Sequence, residues 1–321
     1  MALAAVAALL AGCAALAPTG PSAAEVLAPQ ERHCLAAGWQ HRRVTVAGIE
    51  RRLLWKGPAG PWLRGAIVVL HGGGGSHFQF CLANARLTEP QVEFTTQAVA
   101  AGFAVFLLDS SDRVRDNEGR ACGKVWDDEV RARANLDLPF IGEVLRSLIP
   151  AARPPGSRPQ IFMTGLSSGG YMTARAATHF DDLVTAFAPV SSGDPYGWHR
   201  RCIPGLTTRT TVHGAAFDNE TGLMISTPGA CSATGAETER RWDSTGAAVK
   251  PVFSLFHHRH DGIHDQSCAQ KLQRGLRARG YPEQPAFVPE GDGRRSALHH
   301  FWLSTYNRPL LEFFSEQAGG R

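Results

Sequence analysis

The stretch Ile161-Phe162-Met163-Thr164-Gly165-Leu166-Ser167-Ser168-Gly169-Gly170-Tyr171 constrains this chain more than any other. It reads as a buried strand, a sharp Gly-x-Ser-x-Gly turn and a helix, with Ser167 at the apex. A strand that reverses into a helix within a few residues holds its apex residue in a strained conformation. Side chains at Gly165 and Gly169 would collide with neighbouring backbone. Five residues are weak on their own in a chain with 34 glycines, so the context has to carry the reading.

That context is a regular alternation of elements. Residues 41–55 suggest an opening hairpin with Gly48 in its turn. Residues 66–70 are an apolar run with the look of a strand buried on both faces, and it ends in His71-Gly72-Gly73-Gly74-Gly75-Ser76. Residues 92–101 have helical spacing with Gly102 as C-cap, and 103–109 are a second buried strand. Residues 135–149 place Leu136, Phe140, Val144 and Leu148 on one helical face, and 150–159 read as a loop. Further strands are expected at 183–190, 251–256 and 287–289, with helices at 266–279 and 309–316. Strands alternating with helices predict an α/β fold: a mostly parallel sheet with right-handed crossovers, flanked by helices, its sites at the C-terminal ends of strands. Residues 194–249 are long for a loop and read as a lid-like insertion after the strand that follows the helix after Ser167.

With 321 residues, 43% hydrophobic and 19% charged, the chain has enough material for one large domain over 41–321. A net charge of +4 with pI about 8.8 and no dense Lys/Arg run gives no nucleic-acid partner. Residues 1–24 carry no charged side chain and read as a targeting segment too short to span a bilayer. Leu10-Ala11-Gly12-Cys13 resembles a bacterial lipobox, so any membrane attachment is expected through a lipid on Cys13. The alternative is an ordinary secretory signal cut near Ala17 or Ala24. Either way the mature protein is exported, lipid-anchored or secreted, with 25–40 as linker and N-terminal extension. Cys34, Cys81, Cys122, Cys202, Cys231 and Cys268 then lie in an oxidising compartment and are expected in disulfides, with the pairing open. No C-x-x-C pair marks a zinc ribbon or a thioredoxin site.

His71, Ser167, Asp261 and His300 each follow a predicted strand end. Ser167, Asp261 and His300 also occur in the nucleophile–acid–base order of α/β-hydrolases. The sequence resembles the α/β-hydrolase serine esterases grouped with extracellular polyhydroxybutyrate depolymerases and feruloyl or acetylxylan esterases. The matching pieces are LHGGGG at 70–75, GLSSGG at 165–170, His257-x-x-x-Asp261 and His300-x-Trp302. They span roughly 65–315. His258 and His299 stand where that group has glycine. The resemblance implies an α/β-hydrolase fold, hydrolysis of small or oligomeric esters, and no cofactor.

A serine hydroxyl needs a base to take its proton as it attacks. His300 is the expected base and Asp261 the acid that orients it. Asp265 is the alternative acid and His299 the alternative base. The oxyanion needs two donors; the N–H of Ser168 is one, and that of Gly73 the other, with Gly74 close behind. His71, Gly74 and Trp302 are the expected substrate-binding residues, although Trp302 reads equally well as a core aromatic. Tyr171 reads as core, and Trp198 and Trp242 as either pocket or packing. A second chemistry rests on residues 257–265: on a helix, His260 and His264 would share a face as zinc ligands do. No metal is assigned. The remaining alternatives are a serine peptidase of the same fold and a non-catalytic binding lipoprotein.

Overall fold

A computed structural model describes residues 29–82, 86–115, 123–128, 133–196, 242–291 and 293–319, and the backbone of 215–217 and 224–226. The expected targeting segment, Cys122, Cys202, Cys231 and Trp198 lie outside them, as does most of the 194–249 insertion.

After a short helix α1 (Pro29–Ala36), strands β1 (Gln40–Val46) and β2 (Ile49–Lys56) form the expected hairpin. Ala47 and Gly48 turn it with φ of 50° and 74°, the paired positive values that suit a tight hairpin. Strands β3 (Ala66–Leu70), β4 (Ala104–Leu108), β5 (Ile161–Leu166) and β6 (Ala186–Val190) are buried along their whole length. They complete a sheet of order β1-β2-β4-β3-β5-β6-β9, where β9 is Val252–Phe253. From β4 to β9 the pairing is parallel; β1 and β2 are antiparallel additions at one edge. Two further strands, β7 (Ala215–Phe217) and β8 (Met224–Ser226), form an antiparallel pair.

Side chains alternate across these strands, so each face has its own core. One contains Val68, Phe106 and Met163 with the helices α3 (Leu138–Glu143), α5 (Ser168–His179) and α6 (Gln266–Ala278). The other contains Ile67, Val69, Val105 and Phe162 with α2 (Glu89–Ala100) and α7 (Ser304–Gly319). Each fully buried Val, Ile or Phe adds roughly 1.5–3 kcal/mol over leaving it exposed.

Three elements differ from the sequence reading. Helix α3 runs on past residue 149 through a π turn (Val144–Leu148) into α4 (Ile149–Ala152). Pro150 has no N–H, and its ring crowds the carbonyl four residues back, so the wider turn accommodates it. Helix α7 starts five residues before Pro309, which lies inside it. The strand expected at 251–256 is reduced to β9 plus a single bridge from Phe256 to Val190, and the one at 287–289 to a bridge from Phe287 to Phe256.

Beneath the sheet edge lies a buried ion pair. Arg51 on β2 donates to Asp137 at 2.6 Å, with side-chain exposures of 1% and 0%. The same guanidinium donates to the carbonyls of Leu136 and Asp109 and sits over the Phe140 ring.

Candidate active site

Chain order reverses at β3, with β4 on one side and β5 on the other. Crevices at such switch points open at the carboxyl ends of the strands, and two segments leave the sheet there side by side. One is the Gly72–Gly75 loop after β3. The other is the turn after β5, where Ser167 has φ 54° and ψ −118°, a strained value for a residue with a Cβ. The turn is forced by contact. A Cβ on Gly165 would lie 2.5 Å from the Gly169 carbonyl oxygen, and one on Gly169 would lie 2.4 Å from those of Leu70 and His71. Ser167, Ser168, Gly73 and Gly74 are partly exposed within otherwise buried surroundings.

His300 ends a short 3-10 helix (Ala297–His300) capped by Ser296. That segment is joined to the Asp261 loop by a bridge between Asp261 and Ser296. Gly262 lets them touch, since a Cβ there would sit 2.6 Å from the Ser296 backbone. The result is a hydrogen bond from His300 Nδ1 to Asp261 Oδ2 at 2.8 Å. Asp261 Oδ1 accepts the N–H groups of Ile263 and His264 at 2.8 and 2.9 Å. Burial alone would push this carboxyl up; the charge and hydrogen bond of His300 outweigh it and hold the group at about 2.

The rival residues go elsewhere. Asp265 caps α6 through the Ser267 N–H and pairs with Arg295. His299 turns away, stacked on His258 with centroids 3.8 Å apart and Nδ1 on the His260 carbonyl. Residues 257–265 precede α6 and form no helix, so His260 and His264 do not share a helical face. Among the described residues no group of three or more His, Cys, Asp or Glu side chains is arranged to hold a metal ion. His264 packs edge-on to His300. Burial and then the charge of His300 push it down to about 3, so it stays neutral.

In the glycine loop, the Gly74 N–H is taken by the Lys124 carbonyl at 2.7 Å. Among the described residues no acceptor meets the N–H of Gly73. Ser168 begins α5, so its own N–H has no helical partner. Its hydroxyl donates to Asp128 at 3.0 Å and accepts the Trp126 N–H at 3.1 Å.

No protein-family model matches this sequence, and no curated protein does. Solved structures do match. A thermostable esterase aligns over 87% of this chain with TM-score 0.54 and 16% identity. This chain spans only 62% of that esterase's length. An S-formylglutathione hydrolase from Staphylococcus aureus aligns over 87% of this chain and 98% of its own, with TM-score 0.51 and 12% identity. An acylaminoacyl peptidase from Pyrococcus horikoshii aligns over 87% of this chain and 41% of its own, with TM-score 0.52 and 18% identity. The chain has the α/β-hydrolase fold. At these identities the likeness is one of architecture.

Within the α/β-hydrolase fold, two of the expected substrate-binding residues, His71 and Trp302, are buried. His71 is fully buried; Nδ1 donates to the Gly72 carbonyl at 2.7 Å and Nε2 accepts the Ser110 N–H at 3.0 Å. Trp302 is a core residue, packed on Phe80 and Phe94 with its N–H on Asn307. Gly74 is partly exposed, and its N–H is occupied. Tyr171 is core, and Trp242 is stacked between Tyr196 and Arg279. Of the expected disulfides, Cys34–Cys81 is formed and Cys268 is also disulfide-bonded. The sequence reading passed over Asp109, which ends a buried strand beside the glycine loop. Its position at a strand's carboxyl end was the available signal.

Proposed function

We propose that this chain is a serine hydrolase of carboxylic esters. The observation that carries the reading is the 2.8 Å hydrogen bond between His300 and Asp261 at the end of the sheet where Ser167 is held in its strained turn. Ser167 Oγ attacks the ester carbonyl while His300, through Nε2, takes its proton. Asp261 keeps the proton on Nδ1 and stabilises the imidazolium. The N–H groups of Gly73 and Ser168 receive the oxyanion; losing one such donor costs about 3 kcal/mol. His300 then protonates the leaving alcohol. Water, deprotonated by the same histidine, releases the acid from Ser167.

Short polyester oligomers, or acetyl and feruloyl esters on polysaccharide, are the proposed substrates, on the strength of the sequence resemblance. The same resemblance and the N-terminal pattern support export, with Cys13 as a lipid anchor; a disulfide is in keeping with an oxidising compartment. Among the described residues no helix is long and apolar enough to cross a membrane.

A fluorophosphonate probe tests the serine. Wild type is expected to label and Ser167→Ala not to. Absent labelling, or labelling that persists in the variant, overturns the proposal. Aryl esters, polyester oligomers, feruloylated sugars and matched amides then rank the substrates; faster amide than ester turnover would make the enzyme a peptidase.

A further inference from the structure

We infer that Asp109 is a positioning residue of the oxyanion hole, its buried carboxylate fixing the Gly72–Gly75 loop so that the Gly73 N–H faces the developing oxyanion. The inference rests on the esterase reading of Ser167.

Glycines at 72–75 carry no side chains that could lock the loop by packing, and ordering each residue costs about 1–2 kcal/mol. Oxyanion donors work only if they are in place before charge develops. The anchor therefore has to come from neighbours, and the neighbours converge on one group. Asp109 Oδ1 lies 3.5 Å from His71 Nε2, at the start of the loop. The same oxygen lies 3.0 Å from His77 Nδ1 and 3.5 Å from the His77 N–H, just past its end. Asp109 Oδ2 binds Lys124 Nζ at 2.5 Å. Lys124 in turn offers its carbonyl to the Gly74 N–H at 2.7 Å. The carboxylate thus lies beside the entrance of the loop and binds its exit and the segment that covers it.

Its own backbone is fixed as well. The Asp109 N–H donates to the Arg52 carbonyl at 3.0 Å, and its carbonyl accepts Arg51 at 3.0 Å. His71 is tied down by a further contact, the Trp126 indole N–H on its carbonyl at 2.8 Å. Burial would push the Asp109 carboxyl up, but His77 and Lys124 hold it well below the usual range. A buried charge contributes little net stability compared with an apolar residue of similar size. Its attachment to the exit of the loop and to Lys124 gives it a different use.

The test uses the full chain, with kcat measured per titrated Ser167 so that misfolded enzyme is not counted. Asp109→Asn keeps the shape and removes the charge. Its kcat on an aryl ester is expected to fall on the order of 100-fold, as small misplacements at reacting centres do, with KM within about threefold. Affinity for a trifluoromethyl ketone, which forms the oxyanion, is expected to fall by a similar factor. Lys124→Met leaves the carboxylate and removes one attachment; the same pattern is expected, smaller, and it serves if Asp109→Asn does not fold. A kcat per titrated serine within twofold of wild type in both variants, or a change confined to KM, overturns the inference alone. Wild type that shows no Ser167-dependent labelling overturns the esterase reading and this inference with it.

Discussion

His300 and Asp261 are 39 positions apart and meet through a single 2.8 Å hydrogen bond. The neighbouring candidates, His299 and Asp265, are engaged in other contacts. Substitution therefore separates them. Replacing His300 with Ala, or Asp261 with Asn, is expected to lower kcat about 10⁴-fold. Replacing His299 with Asn is expected to leave kcat within about threefold. Steady-state rates on one aryl ester decide; an inactive His299 variant beside an active His300 variant would reverse the assignment.

Asp265→Ala should act on stability. The side chain caps α6 by accepting the Ser267 N–H at 3.0 Å, and loss of such a cap costs about 1 kcal/mol. The expected result is a lower urea midpoint with normal turnover. Loss of turnover at an unchanged midpoint would contradict it.

Gly169→Ala is expected to abolish both soluble expression and activity. The added Cβ would lie 2.4 Å from two backbone oxygens on β3 and its loop, and neither can yield without opening the sheet. Wild-type activity in the purified variant would mean that the turn is more compliant than its contacts indicate.

Acid should destabilise the fold in two stages. His264 is held at about 3 against 6.5 for a free histidine. As pH falls through that window the unfolded chain takes up a proton that the native fold refuses, so stability drops. Asp261 acts lower: held at about 2 against 3.8, it contributes stability above 3.8 that disappears as pH falls towards 2. Urea midpoints between pH 7 and pH 4 are expected to decline, and less steeply in His264→Gln. A flat profile in wild type would count against the first stage.

Arg51→Met removes one partner of the buried pair and leaves the Asp137 carboxylate uncompensated. The expected cost is about 3–5 kcal/mol, read from urea unfolding. A loss below about 1 kcal/mol would imply that Asp137 takes up a proton instead.

Much of the architecture was legible because four strands are buried on both faces and read as mainly apolar runs. The turn at Ser167 was legible too, since a tight strand-to-helix turn leaves a fixed glycine spacing. Other features depend on tertiary context. Pro150 looked like a terminator, yet a single π turn carries the helix past it. Trp302 was ambiguous because its polar partner, Asn307, belongs to a helix whose start the sequence reading put at Pro309. Asp109 escaped notice for a different reason. It has no motif of its own, and its significance comes from His71, His77 and Lys124, which only folding brings around it.

The Cys34–Cys81 bond closes a covalent loop of sequence separation 47. Tension applied to the chain before α1 would pass from one sulfur to the other and bypass everything between. The bypassed segment holds the edge hairpin, β3 and the four glycines. A pull from that end would therefore leave those strands and the glycine loop unloaded, and meet the rest of the fold first at the turn beyond them.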